Sequence, residues 1–304
     1  MRPLPAGRTR RVVATFAVLA AVAAGLAGCG DDTSDDTASS SPAPSSSVDA
    51  ALAAKVPAGV KADGSILVGT DSSYAPSEFL AADGKTIQGF DVDLFTAVAQ
   101  KLGLKAKFET ADFDAIIPGI SSGKYEIGVS SFTINDERKK TVDMVSYFSA
   151  GTQWATKKGN PQKIALDDAC GKKIAVQQGT VQVEDITARS KKCTTAGKKA
   201  ITIDQFDGQD QATAAVVSGK DDATLADSPV SAYAVTKTNG QLELLGDIYE
   251  AAPYGYALKK GQGEFGQALA DAVKALIADG TYKTILAKWG VDAGALSTDP
   301  AVNP

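Results

Sequence analysis

The chain has 304 residues, with 31 basic and 36 acidic side chains, a formal charge of −5 and no histidine. The lack of histidine excludes Ser-His and Cys-His nucleophile pairs, and with them the commonest general base and most zinc sites. A net acidic chain with scattered lysines is the wrong electrostatic footprint for nucleic acid.

Residues 1–28 have the build of a signal peptide. The basic region Arg8-Thr-Arg-Arg11 precedes an apolar, alanine-rich run from Val12 to Leu26, too short for a comfortable membrane span. Thr9-Arg-Arg11 is also a weak twin-arginine signal. The run stops at Leu26-Ala-Gly-Cys29, which resembles the bacterial lipoprotein box, in which the cysteine is lipidated and becomes the new N-terminus. Removing this leader deletes four arginines and no acidic residue, so the charge moves from −5 to −9. Residues 29–59 read as a disordered tether. Gly30 to Ser47 is rich in Asp, Ser and Thr and has too few apolar side chains to fold.

Globular composition begins near Val60 and continues to about Val291. Ser65-Ile-Leu-Val-Gly-Thr70 predicts a buried strand, and Asp83-Gly84 a turn. Val92, Phe95, Val98, Ala99 and Leu102 fall at helical spacing over Asp91 to Leu102, and Gly103 stands where a C-terminal cap belongs. A strand at Lys105 to Glu109, a helix from Asp114 to Ser121 and a strand at Tyr125 to Ser130 follow. The alternation restarts after Pro161. Strands are expected at 173–176, 200–203, 223–225 and 254–258, with helices at 180–190, 210–218 and 228–236. Phe265 to Trp289 predicts helices broken at Asp279-Gly280-Thr281. Strand and helix alternation of this kind indicates α/β units with largely parallel sheets.

Cys170 and Cys193 are the only cysteines of the globular part. Outside the cytoplasm an even pair points to a disulfide, worth roughly 3 kcal/mol in the chain-entropy model. Two free thiols or a redox pair are the alternatives, and there is no CxxC spacing to favour the latter. Arginine is scarce: beyond the leader only Arg138 and Arg189 remain, against 25 lysines. A guanidinium grips a carboxylate through two parallel hydrogen bonds, which an ammonium does not. Position alone favours a solvated helix start for Arg138, in Asp136-Glu-Arg-Lys-Lys140.

Seven segments in order change that balance. They are Gly69-Thr-Asp-Ser-Ser-Tyr-Ala-Pro76, Gly89-Phe-Asp-Val-Asp-Leu94, Phe113-Asp-Ala-Ile-Ile-Pro118, Ser130-Ser-Phe-Thr-Ile-Asn-Asp-Glu-Arg138, Gln178-Gly-Thr180, Asp227 and Asp279-Gly-Thr-Tyr282. Together they resemble family 3 of the extracellular solute-binding proteins of ABC amino-acid importers, over about Ser65 to Val291. The resemblance implies an α/β, two-lobed periplasmic-binding-protein-like fold of type II, its lobes joined by two hinge strands. Lobe 1 would be 60–155 plus 252–295 and lobe 2 156–251, with hinges near Thr152–Lys157 and Tyr249–Tyr254 and a tail at 296–304. Such proteins close around their ligand by hinge motion.

The same resemblance implies the site. Arg138 would grip the α-carboxylate of a free amino acid, helped by backbone N–H groups at Thr133 and Val181. Asp227 would accept the α-ammonium, with the Ser131 carbonyl and Thr133 hydroxyl; by position alone Asp227 reads as a helix cap before Ser228-Pro229. Tyr74 and Phe113 would be aromatic walls, although Phe113 also suits ordinary core. Asp71, Gln177 and Gln182 would make the far end of the pocket polar, and Ser130 and Thr180 join the set through their motifs. An inward Asp71 selects a lysine or arginine side chain, with glutamine as the amide alternative. Val181 departs from the threonine frequent in relatives, which keeps the backbone donor and loses a hydroxyl. Trp154, near a hinge, is expected in lobe-interface packing.

The expected protein is a monomeric lipoprotein on the outer face of the cell membrane, held by its lipid anchor. It has no cofactor, metal, nucleic acid or chemistry of its own, and delivers an amino acid to ABC-transporter permease subunits. The alternatives are a cyclohexadienyl-dehydratase-like enzyme on the same fold, with Asp71 or Glu78 as acid or base, or a ligand-sensing domain for a membrane receptor.

Overall fold

The computed structural model describes residues 47–304, so the leader, Cys29 and most of the expected tether lie outside the described residues. Order begins earlier than residue 59. Helix α1 (Ala50–Ala54) is capped by Asp49, whose Oδ1 accepts the N–H groups of Ala51 and Leu52. Leu52, Val56 and Val60 enter the main core. Two apolar side chains of the expected tether, Leu52 and Val56, dock it beside Val60, and the tether boundary is corrected accordingly.

The elements then run β1 (Ser65–Thr70), β2 (Ser73–Tyr74), β3 (Glu78–Leu80), β4 (Ile87–Gln88), α2 (Phe90–Lys101), β5 (Lys105–Thr110), α3 (Phe113–Ser122), β6 (Ile127–Gly128), α4 (Asp136–Thr141) and β7 (Val142–Lys157). After these come β8 (Lys173–Gln177), α5 (Val181–Thr195), β9 (Thr202–Phe206), α6 (Gln209–Ser218), β10 (Ala223–Asp227), α7 (Ser228–Lys237), β11 (Leu242–Lys259), α8 (Gly263–Ala278) and α9 (Thr281–Trp289). α2, α3, α6, α7, α8 and α9 fall within two residues of their expected ranges, whereas α1 and α4 have no apolar period to mark them. β6 is shorter than expected, β9 starts two residues later, and α5 runs on to Thr195.

One sheet has the order β5-β1-β6-β11-β7-β10-β8-β9. Its outer thirds are parallel: β1 with β5 and β6, and β8 with β9 and β10. Its middle is the antiparallel pair β7 and β11, of 16 and 18 residues. β6 joins β11 only at Ala257 and Leu258, whereas β10 joins β7 at Thr152 to Thr156. The two long strands therefore carry a parallel half-sheet at each end, which is the two-lobed arrangement. Between the halves the β7–β11 register breaks three times, between Leu245 and Gly255, and Glu250 takes a φ of +52°.

Each half has its own core. Phe90, Phe95, Phe148, Tyr254, Tyr256 and Leu269 pack one face of the first half, while Phe113, Ile116, Phe132 and Met144 pack the other. Trp154, Ile174, Val176, Ile186 and Leu225 form the second half's core, beside the Cys170–Cys193 disulfide. Trp154 is thus not lobe-interface packing. It is fully buried and its Nε1 donates to the Tyr249 hydroxyl at 2.8 Å. Arg189 lies over both of those rings and pairs with Asp185, so it is structural. The tail is docked: Val302 bridges to Val145, and Asn303 donates its N–H to the Met144 carbonyl, on the edge of β7 that β10 leaves free.

A one-turn 3-10 helix, Asp292–Gly294, covers the Phe148 ring. A Cβ at Gly294 would lie 1.9 Å from the Phe148 Cζ, a direct collision with the ring. Gly294→Ala is expected to cost about 1–3 kcal/mol through overpacking, measured as a lower urea midpoint at unchanged slope.

Candidate functional site

The carboxyl ends of β1 and β6 in one half face those of β8 and β10 in the other, the place where open α/β sheets bind ligands. Between them lies a narrow cavity of about 10 Å³, walled by Tyr74, Phe113, Ser131, Thr133, Arg138, Gln177, Thr180, Val181, Gln182 and Asp227. That is room for about one water molecule, so a larger ligand enters only as the two halves part.

Arg138 enters from the first turn of α4. The N-cap Asn135 accepts its backbone N–H at 2.8 Å, which fixes where the side chain starts. The guanidinium donates to the Thr133 carbonyl at 2.8 Å and, across the cleft, to the Gly179 carbonyl at 3.2 Å. It lies over Phe113 and Phe132, which stack at 4.7 Å. Phe113 is therefore both a cavity wall and a seat for Arg138. Burial pulls the guanidinium down to about 10 while Asp227 opposes the shift, so Arg138 stays charged at neutral pH.

Asp227 occupies the N-cap position of α7 without capping it. Its Oδ1 instead accepts Gln182 Nε2 at 2.8 Å, and its Oδ2 accepts the Tyr254 hydroxyl at 2.7 Å. Its backbone N–H donates to the Tyr74 hydroxyl at 3.1 Å. Burial raises its carboxyl above the usual range, and the hydrogen bonds from Tyr254, Gln182 and Tyr74 pull it back. Neither Arg138 nor Asp227 is in a salt bridge among the described residues. α5 begins at Val181 with no side-chain cap from Thr180, so its first N–H groups lie at the cavity wall without an intrahelical partner.

Ten of the twelve expected residues line the cavity, and Asp71 and Ser130 do not. Asp71 sits behind Gln177, accepting its amide through Oδ2 and the Ser73 N–H through Oδ1. Burial raises the Asp71 carboxyl to about 6, against the hydrogen bonds from Ser73 and Gln177. Ser130 is a correction: its hydroxyl donates to Glu78 Oε1 at 2.8 Å and accepts the Asp71 N–H at 3.0 Å, so it organises the loop instead of facing the cavity. Thr180 lines the wall, but its hydroxyl donates to the Gln177 carbonyl. From sequence Tyr254 is expected at the start of a strand and the end of a hinge, with no role at the ligand. Its link to Asp227 across the halves has no local signal, because a tyrosine in an apolar strand looks like core.

The halves are closed on this cavity. Gln177 reaches Asp71, Gln178 reaches Asp114, and the Gln209 N–H donates to Ser73 Oγ at 3.0 Å. Gly179, at a φ of +76°, approaches Asp114 so closely that a Cβ would lie 2.7 Å from the aspartate Cβ.

The model of bacterial extracellular solute-binding proteins, family 3, matches residues 66–292. An arginine-binding protein of Corynebacterium glutamicum is 37% identical over 246 residues, covering 81% of this chain and 80% of that protein. An ancestral arginine-binding protein solved with arginine is 36% identical, with a TM-score of 0.69 over 74% of this chain and 98% of its own. An ancestral arginine-binding protein solved with glutamine gives 36% and 0.68, over 75% and 98%. The chain belongs to family 3 of the bacterial extracellular solute-binding proteins.

Proposed function

We propose that the protein binds one free L-amino acid, arginine foremost, between its two lobes and hands it to the permease subunits of an ABC importer. One observation carries this reading. A cation, Arg138, and an anion, Asp227, line one small cavity without pairing with each other or with any other charge. A zwitterion completes both: its carboxylate on Arg138 and the N–H groups at the start of α5, its ammonium on Asp227. The protein then acts by binding alone, as a monomer anchored through Cys29. Its lobes would span 60–155 with 252–295, and 156–251, and hinge where the β7–β11 register breaks.

The choice of ligand rests on Asp71 and Gln177. An arginine side chain reaching the far end competes with the Gln177 amide for the Asp71 carboxylate, and Tyr74 offers its ring face to the same cation. A glutamine side chain leaves the Asp71–Gln177 bond intact and pairs with Gln177 or Gln182. Relatives whose solved structures hold arginine and glutamine support this pair of candidates.

Titration calorimetry with a panel of amino acids tests the reading. Arginine is expected at micromolar affinity or better, about −8 kcal/mol; no heat with any amino acid refutes it. Arg138→Lys keeps the charge and loses the fork, and is expected to weaken every ligand at least about tenfold. Asp71→Asn should weaken arginine by a similar factor and leave glutamine within about threefold.

Asp71 also predicts a pH dependence. Its carboxyl lies at about 6 in the free protein. The raised value means this group's contribution to folding stability is greatest at acid pH and is lost as pH rises from about 4 to 6. A bound guanidinium favours the ionised form, so arginine binding should release protons near pH 6. Between pH 7.5 and 5, arginine affinity is expected to fall roughly threefold more than glutamine affinity, read by calorimetry in two buffers of different ionisation heat.

A further inference from the structure

Outside the cavity wall two carboxyl groups share one dry pocket. Glu78 on β3 and Asp91 in the first turn of α2 are both fully buried. Backbone bonds clamp their segments together: the N–H groups of Phe90 and Asp91 donate to the carbonyls of Pro76 and Ser77, each at 3.0 Å. Glu78 Oε1 accepts the Ser130 hydroxyl at 2.8 Å. Asp91 Oδ2 accepts three donors: the Ser131 N–H at 2.9 Å, the Ser131 hydroxyl at 3.1 Å and the Tyr147 hydroxyl at 2.7 Å. The remaining oxygens, Glu78 Oε2 and Asp91 Oδ1, are buried and receive no donor, although the two carboxyl groups lie within hydrogen-bond reach of each other.

We infer that Glu78 is held as a neutral acid that donates its proton to Asp91, and that this pair fixes the left-handed Ser131 turn of the ligand site. Two ionised carboxylates in one dry pocket repel, and each would leave an oxygen unpaired; one shared proton removes both costs. The titratable groups facing the pair are Asp71, Tyr74, Tyr147 and Tyr256, none of them basic, and neither carboxyl forms a salt bridge among the described residues. Asp91 is the ionised partner because three donors already converge on its Oδ2. Burial, followed by the charge of Asp91, holds Glu78 well above the usual carboxylate range. Ser131 stands at φ +47°, uncommon for a residue with a side chain. With its N–H and hydroxyl both tied to Asp91, its carbonyl is what it has left to offer the cavity. Glu78 and Asp91 are thus positioning residues. That role rests on the amino-acid-binding reading, whereas the shared proton does not.

The test is Glu78→Gln, whose amide reproduces the neutral acid, accepting from Ser130 and donating to Asp91. Above the ordinary glutamate range an unfolded chain releases the Glu78 proton and the folded protein keeps it, so the parent loses stability relative to the variant as pH rises. Without ligand, the melting temperature of Glu78→Gln minus that of the parent should widen by at least about 4 °C between pH 5 and 8. A flat difference, or a Glu78 carboxyl carbon that titrates near pH 4–5 by NMR, overturns the shared proton. For the positioning role, Glu78→Gln should bind arginine within about threefold of the parent, while Glu78→Leu weakens it at least about tenfold. Parent-like binding by the leucine variant, or a tenfold loss in the glutamine variant, overturns that role. If no amino acid binds even the parent, the function fails while the melting profile still decides the proton.

Discussion

A guanidinium and a carboxylate held in one cavity without touching is the constraint around which the site is arranged. Left alone they would collapse into an ion pair, and buried charges without partners are costly. Neutral groups keep each in place. Arg138 has two carbonyls and two aromatic faces, and Asp227 has the Gln182 amide and the Tyr254 hydroxyl. These dipoles hold the charges without cancelling them, so the strongest available interaction is left to a molecule bearing both signs. The acid–carboxylate pair at Glu78 and Asp91 extends the same economy one layer outward.

Because Arg138 and Asp227 stand on opposite halves, their separation is set by the strands that join those halves. β7 and β11 form a continuous ladder at each end and an interrupted one between. A Cβ at Gly151, in the interrupted zone, would lie 2.6 Å from the Tyr249 carbonyl, so the strands pass at backbone contact there. Irregular pairing of this kind bends and twists a strand locally. The ladder is regular from Leu242 to Leu245 and from Gly255 to Lys259, so flexing concentrates between those stretches, where it alters the cleft.

Much of this was legible in the sequence where period or composition carried it. α2 was readable because Val92, Phe95 and Val98 repeat at helical spacing, and Arg138 because arginine is rare. β7 was not, because it is buried on both faces through most of its length and so lacks the alternation that marks a half-exposed strand. Asp71 was read as facing the ligand. Its position behind Gln177 depends on a residue 106 positions away, which no local pattern encodes. Ser130 failed for the same reason, its hydroxyl being claimed by Glu78 from a distant strand. Glu78 and Asp91 themselves look like surface charges in a polar segment until the fold removes their water.

The bonds that shut the cleft share a property with a consequence for the open and closed populations. In each, at least one partner is a neutral dipole: Gln177 with Asp71, Gln178 with Asp114, Tyr254 with Asp227, the Gln209 N–H with Ser73, and the Gly179 carbonyl with Arg138. No salt bridge among the described residues crosses from one half to the other. Dissolved ions screen interactions between full charges far more than short bonds to dipoles. The balance between open and shut is therefore buffered against ionic strength. The surroundings of a protein exposed outside the cell can change in salinity without prising its lobes apart.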